Sequence, residues 1–306
     1  MRDPHTSQDK VIICIPTYKR PKMLARLLDR IAGLQPDAEI SVLVADNDAE
    51  AHAGLDLCLC LPSYRWPLTA VIAEKRGIAQ ARNTLIEHAL KTDAGFIAMI
   101  YDDEWPQADW ITEFLKAAHD TKADVLQGSI LFGQDSAADG HGDIRRPSGP
   151  VAMLQGAGNL LIRRTVLGEI AAPWFDPAFA LSGGEDQDFF VRLARAGKRF
   201  AWVDEARAHG DVPATRAGLG WLLRRAYSVG NSDMRVLLKH RPGPVRLAAE
   251  ILKIAGSLLL SPPAAAILAV SPNRRVLPLQ KLFRAAGKLS AMFGARYNEY
   301  AVVHGE

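Results

Sequence analysis

The sequence predicts an α/β protein with a mostly parallel central sheet flanked by helices and a C-terminal helical appendage. Three observations predict it. Short, continuous apolar runs such as Val11–Ile15 have the composition of strands buried on both faces. Between them lie stretches whose apolar residues recur at helical spacing. From Leu237 onward the chain becomes basic, with apolar stretches at helical spacing, and carries no strand-like run.

The first strand is Val11-Ile12-Ile13-Cys14-Ile15, closed by Pro16. A helix follows: Pro21 suits a first helical turn, and Leu24, Leu27, Leu28 and Ile31 recur until Gly33 stops them. Further strands are predicted at Ile40–Ala45, Leu68–Ala73 and Phe96–Ile100, with a helix at Ile78–Leu90. A later helix opens at Gly183-Gly184-Glu185-Asp186 and runs to Ala196, before a strand at Phe200–Val203. This alternation implies a parallel sheet with helices on its faces. Gly133–Pro150, rich in Gly, Asp and Ser and without periodicity, reads as a long, mobile surface loop. Beyond Arg216 a helix aligns Leu219, Leu222, Leu223, Ala226 and Val229 on one face. A more apolar helix, Val245–Leu260, is expected to break at Ser261-Pro262-Pro263. The apolar run Ile254–Val270, about 17 residues with two prolines inside, reads as an interfacial helix rather than a membrane span.

Composition narrows the class. With 48% hydrophobic and 23% charged residues the chain is an ordinary globular protein. Its net charge of +3 hides an asymmetry: Leu237–Glu306 holds ten Lys/Arg against three Asp/Glu, leaving 27 against 31 before it. Those basic residues flank apolar helical stretches instead of base-stacking aromatics, so they suit an anionic membrane surface and not nucleic acid. Three cysteines, Cys14, Cys58 and Cys60, form no complete disulfide set and imply a reducing cytoplasm. No apolar segment precedes Val11, so nothing there directs export.

In parallel sheets ligands bind beyond the carboxyl ends of the strands, and acids gather there: Asp46-Asn47-Asp48, Asp102-Asp103-Glu104, and Glu185-Asp186 at the opening of a helix. Adjacent carboxylates on a tight turn can hold a divalent cation through hard oxygen ligands while the cation holds phosphate. Taken alone, Asp102-Asp103 reads first as a solvated acidic turn. The turn after the first strand, Pro16-Thr17-Tyr18-Lys19-Arg20-Pro21, lacks Gly-x-Gly-x-x-Gly, which argues against a nicotinamide-dependent oxidoreductase.

Five motifs then occur in order over residues 10–235: Ile15-Pro16-Thr17-Tyr18-Lys19-Arg20, Val44-Ala45-Asp46-Asn47, Gly77-Ile78-Ala79-Gln80-Ala81-Arg82-Asn83, Asp102-Asp103-Glu104-Trp105-Pro106 followed by Asp109-Trp110, and Glu185-Asp186-Gln187-Asp188-Phe189-Phe190. Together they resemble glycosyltransferase family 2, the inverting enzymes with the A-type, Rossmann-like nucleotide-sugar fold. The resemblance implies a catalytic domain at 10–235, with a nucleotide-sugar-binding half at 10–105 and an acceptor half at 106–235, between a tail at 1–9 and a membrane-associating segment at 236–306. It implies that Pro16 and Tyr18 flank the nucleotide base, Asp46 accepts from its imide N–H, and Arg82 approaches the diphosphate. Asp102 would face the ribose or a metal-bound water. Asp103 would hold the divalent cation, Mn²⁺ or Mg²⁺, with His209 as a further ligand. Asp186 would be the general base, with Glu185 and Trp110 on the acceptor side. Other readings stay open: a helix cap for Asp46, a surface charge for Arg82, and favourable N-terminal helix charges for Glu185 and Asp186. Many relatives carry an acid where this chain has Tyr101, which leaves a non-catalytic nucleotide- or polysaccharide-binding member as the alternative.

The tail, including Arg284-Ala285-Ala286-Gly287-Lys288-Leu289 and Arg296-Tyr297-Asn298-Glu299-Tyr300, resembles that of bacterial exopolysaccharide glycosyltransferases of the succinoglycan type. This implies transfer of a hexose from a nucleotide-sugar donor, UDP-sugar favoured, to a glycan or lipid-linked oligosaccharide. The enzyme would be cytoplasmic and peripheral at the inner face of the plasma membrane.

Overall fold

The computed structural model describes residues 9–132, 143–211, 218–268 and 272–298. Apolar runs become strands where expected: β1 (Lys10–Thr17), β2 (Glu39–Asp46), β3 (Leu68–Ile72) and β4 (Phe96–Met99). They pair in parallel, joined by α1 (Pro21–Ala32), α2 (Ala53–Leu59) and α3 (Ile78–Ala89). The rest of the nine-stranded sheet is β5 (Glu104–Pro106), β6 (Val125–Phe132), β7 (Gly149–Val151), β8 (Leu160–Arg163) and β9 (Phe200–Gly210). Strand order is β3-β2-β1-β4-β8-β6-β9-β5, with β7 also on β9.

The sheet is mixed, its longer ladders parallel and its shorter ones antiparallel. β8 runs antiparallel to both β4 and β6, and β5 and β7 run antiparallel to β9. The chain adds β2 and β3 on one side of β1 and then returns to add β4 on the other. This reversal makes the carboxyl ends of β1 and β4 the topological switch point, the place where α/β sheets bind ligands.

The stripe on α1 behaves as its spacing requires: Leu24, Leu27, Leu28 and Ile31 are all buried against the sheet. The same core takes Trp110 and Phe114 from α4 (Trp110–Thr121). Trp110, expected on the acceptor side, has no exposed surface, and its indole N–H donates to Asn159 Oδ1 at 2.6 Å. It is a core residue because the helix it opens must bury its apolar face. A short helix, α5 (Arg164–Gly168), follows β8. Residues 133–142 of the expected long loop lie outside the described residues, and Ile144 next to them bridges to Ile130.

The chain divides into two compact units. One holds the chain up to Pro177 and the stretch from Phe189 through β9; the other holds Ala178–Asp188 and the C-terminal helices. The partition cuts α6 (Glu185–Arg195) after its first turn. The second unit contains α7 (Leu219–Lys239), α8 (Pro244–Ile267) and α9 (Pro272–Met292). α8 does not break at Ser261-Pro262-Pro263 as expected: the helix runs through both prolines, so the loss of two backbone donors does not terminate it. Inward residues on either side, Ile254, Ser261 and Ala265, keep it in register.

α7 and α9 touch backbone to backbone. A Cβ on Gly230 would lie 2.0 Å from the Arg284 carbonyl oxygen, and one on Gly287 would lie 2.0 Å from that of Tyr227. Beside this contact the buried Asn231 amide donates to Ser290 Oγ and the Ala295 carbonyl, both at 3.0 Å, and its oxygen accepts from the Tyr297 N–H. The apolar core here is small, built on Met234, Ile254, Ala285 and Ala291. Glycine contact and the Asn231 bonds therefore carry much of the packing. Gly230→Ala or Gly287→Ala should destabilise this unit by about 1–3 kcal/mol through overpacking, whereas Gly256→Ala on α8, with open space around it, should be neutral or slightly stabilising. Amide exchange of α7 and α9 in the three variants measures the difference.

Candidate functional site

Because β1 and β4 are parallel neighbours, the turns that follow them meet. Thr17 ends β1, and its hydroxyl donates to Asp102 Oδ2 at 2.9 Å. Arg20 is fixed at the start of α1, where its carbonyl accepts from the Leu24 N–H. One nitrogen of its guanidinium donates to Asp102 Oδ1 at 3.1 Å and Asp103 Oδ2 at 3.2 Å. Between Thr17 and Arg20 the chain passes through Lys19 at φ 55°, a left-handed conformation costly for a non-glycine residue and common at functional sites.

The acids after β4 differ in environment. Asp102 is buried, and desolvation, reinforced by the adjacent Asp103, pushes its carboxyl up to about 6, with Arg20 and Thr17 opposing the shift. Glu104 is buried more completely, and the same two causes push it up to about 8. Burial thus favours its neutral form, and its Oε2 accepts from the Tyr101 N–H at 3.3 Å. Its neighbour Gly158 has no room for a side chain: a Cβ there would lie 2.6 Å from Glu104 Oε1 and 2.7 Å from the Tyr101 ring. Of the three acids, Asp102 and Asp103 share a cation and Glu104 packs inward.

Asp46 does not face an open site. It has no exposed surface, its Oδ2 accepts from the N–H groups of Gly54 (2.7 Å) and Leu55 (3.0 Å), and its Oδ1 accepts from Asp48 N–H at 3.0 Å. The expectation that it reads a base imide is corrected: its carboxylate satisfies the first turn of α2, the capping alternative. Its neighbour Asn47, which sequence reasoning treated only as part of the motif, is a pin. The Asn47 amide donates to the carbonyls of Ala73 (2.9 Å) and Lys75 (2.8 Å), and its oxygen accepts from Gly77 N–H at 2.6 Å. Gly77 precedes α3 at φ 132°, which needs glycine. Asp48 is buried, 3.9 Å from Lys19 Nζ, and its Oδ2 has no hydrogen-bond partner among the described residues.

Pro16 is buried in β1, and Tyr18 stands half-buried beyond it with two cations at its ring, Lys19 at 5.4 Å and Arg76 at 5.1 Å from the centroid. Arg82 is not a surface charge. It is buried on α3, bonds the Tyr101 hydroxyl, and lies about 5 Å from the ring centroids of Tyr101 and Phe175. Tyr101, at the position of the missing acid, thus receives the guanidinium through its phenol oxygen.

His209 is not brought into a metal cluster. It pairs with Trp105 across β5 and β9, its ring stacks on Trp105 with centroids 5.8 Å apart, and its Nε2 lies 3.2 Å from Gln107 Nε2. With Trp105, Gln107, Asp109 and Arg30 it lines a cleft of about 530 Å³. Among the described residues no three His, Cys, Asp or Glu side chains converge to hold a metal. The donor set nevertheless fits a hard divalent cation: two carboxylates already converge on one cationic nitrogen, and the remaining positions would be open to phosphate oxygens.

The second unit presents the other acids. Gly184 sits at φ 97°, where a Cβ would be 3.1 Å from Ser232 Cβ; the Ser232 hydroxyl donates to the Ser182 carbonyl at 3.0 Å. Asp188, with no exposed surface, pairs with Lys239 Nζ at 2.6 Å and His240 Nε2 at 2.8 Å. The first turn of α6 is therefore bolted to α7. Glu185 is buried, which corrects its expected place against an acceptor; Asp186 is half-buried and accepts from the adjacent Gln187 N–H.

Comparison with known proteins agrees with this architecture. Residues 12–169 match the sequence profile of Glycosyl transferase family 2. The succinoglycan biosynthesis protein ExoM of Rhizobium meliloti (strain 1021) is 30% identical over 301 residues, covering 93% of each chain. In fold, the chain is similar to the mannosyltransferase PcManGT from Pyrobaculum calidifontis, solved in complex with GDP-Man and Mn²⁺, with TM-score 0.63 at 17% identity over 96% of this chain and 91% of that one. It is also similar to S. aureus TarS 1–349, solved in complex with UDP, with TM-score 0.54 at 15% identity over 94% and 93% of the two chains. With its motifs in family order, acids at the switch point of the sheet, and a profile and a full-length relative that both match, the chain belongs to glycosyltransferase family 2.

Proposed function

We propose that this glycosyltransferase moves a hexose from a nucleoside-diphosphate sugar, UDP-sugar favoured, to a hydroxyl of a glycan or lipid-linked oligosaccharide, with inversion at the anomeric carbon. The observation that carries the reading is the pair of carboxylates, Asp102 and Asp103, converging on a single cationic nitrogen after β4. A divalent cation, Mn²⁺ or Mg²⁺, would be held by Asp103 with Asp102 beside it, and when bound it supplies charge neutralisation for the departing nucleoside diphosphate. Tyr18, with Lys19 and Arg76 at its ring, forms a wall suited to an anionic nucleotide. Arg82 orders Tyr101 next to the acid pair. Asp186 is the half-exposed acid of its motif and takes the proton of the attacking acceptor hydroxyl; inversion needs one such base and no covalent nucleophile.

Support for the cation and nucleotide comes from PcManGT, solved with GDP-Man and Mn²⁺, and from TarS, solved with UDP; support for a polysaccharide acceptor comes from ExoM. Two variants test the reading together. Asp103→Ala should abolish the Mn²⁺-dependent part of UDP binding in calorimetry. Asp186→Asn should keep UDP-sugar affinity within about threefold while cutting single-turnover transfer by roughly 10³-fold. Equal UDP affinity of wild type and Asp103→Ala with EDTA present and absent, or near wild-type transfer by Asp186→Asn, would remove the respective role.

We further infer that the C-terminal helices lie on an anionic membrane surface at the cytoplasmic face. Val245, Leu252 and Leu259 recur every seven residues on α8 and are exposed, as are Leu260 and Ile267. Arg246 and Lys253 each follow a member of that stripe and are exposed as well. An apolar stripe edged by cations is the chemistry of an interfacial helix. α8 is also long and apolar enough to cross a membrane by length and composition. Two other basic residues are committed within the unit, Arg284 to Asp233 and Lys288 to Glu250. Flotation with liposomes containing anionic lipid should show binding that weakens several-fold with salt and disappears in Leu252→Glu/Leu259→Glu. Salt-resistant binding would favour a spanning helix, and no binding at low salt would remove the membrane assignment.

A further inference from the structure

We propose that Arg20 is a resident counter-cation of the acid pair, which holds Asp102 and Asp103 while the donor is absent and yields them to the divalent cation as the nucleoside diphosphate arrives. The inference rests on the reading that Asp103 carries the cation, and it adds to that reading an order of events: cation and nucleotide bind as a coupled pair.

The geometry points to exchange. One guanidinium nitrogen lies within 3.2 Å of an oxygen from each carboxylate, so it occupies the position from which a single positive charge touches both. Asp102 is further held by Thr17, which leaves that carboxylate fixed whether or not Arg20 stays. The Arg20 backbone is fixed too, since its carbonyl starts α1 and Pro21 follows it, but the side chain is long and reaches the site from a partly exposed position. A divalent cation and a guanidinium sharing two carboxylates at this distance would repel one another strongly. The cation alone must therefore displace Arg20 from both carboxylates. When a diphosphate enters as well, its oxygens offer the planar guanidinium a bidentate partner matched to its geometry. Binding of each ligand then strengthens binding of the other.

The full chain titrated with Mn²⁺ and followed by electron paramagnetic resonance of the free ion tests this without any turnover. Arg20→Gln should bind Mn²⁺ alone about tenfold tighter than wild type, and the tightening that UDP adds should shrink by a similar factor. Arg20→Lys, which keeps the charge, should stay close to wild type. A merely structural role for Arg20 predicts the opposite sign, weaker Mn²⁺ binding in Arg20→Gln, and that result or an unchanged affinity overturns the proposal. If Arg20→Gln does not fold, as judged by circular dichroism, wild type decides: micromolar Mn²⁺ binding without UDP overturns the proposal, and Mn²⁺ binding that appears only when UDP is present supports it. Failure of wild type to bind Mn²⁺ with UDP present is a different result, which overturns the metal reading at Asp103 and this proposal with it.

Discussion

The donor side of this protein depends on one electrostatic constraint: two adjacent carboxylates must stay in place at the end of a buried strand. Asp102 is almost entirely removed from water beside Asp103, and desolvation and like-charge repulsion both oppose its ionisation. Thr17 and Arg20 offset that cost from the neighbouring strand, which is possible because β1 and β4 are adjacent and parallel. Glu104, one residue further on, has only the Tyr101 N–H and the Arg82 charge to oppose the same two effects and is driven toward its neutral form. Asp102 and Glu104 are therefore both pushed up by their surroundings, and Glu104 further.

The same economy of polar contacts shapes the rest of this edge. Asp46 and Asn47 look alike in the sequence, as short polar residues after a strand. Asp46 turns back onto the first turn of α2, while Asn47 reaches across to Ala73, Lys75 and Gly77 and joins the ends of β2 and β3 to the start of α3. Arg82, on α3, is in turn buried against Tyr101. A phenol oxygen at 101 pairs with this guanidinium without adding a fourth carboxylate to a crowded site, which gives the substitution of Tyr for an acid a physical reason.

The helical unit is built on a different principle. Its α7–α9 contact is made by glycines that let backbones touch and by a buried asparagine that closes the end of α9. Large apolar residues of α8 remain outward, so the unit carries an exposed apolar stripe next to a small core.

By itself the sequence determined the strands β1 to β4, the helices α1, α3 and α6, and the family motifs, because buried parallel strands and amphipathic helices leave periodic apolar signatures that survive without a partner. It also marked the acids on the carboxyl edge. Tertiary structure alone decided which acids are open and which are spent: that Asp46 caps a helix, that Glu185 and Trp110 are buried, and that His209 stacks on Trp105. It decided the mixed pairing of β5, β7, β8 and β9, and the passage of α8 through two prolines. It alone brought Arg20 to Asp102 and Asp103, which stand 82 and 83 residues further along the chain. The reason is the same in each case. A polar side chain's role is set by the partners that folding brings within about 3 Å, and those partners lie from eight residues away, for Asp46, to more than eighty, for Arg20, beyond the reach of local pattern.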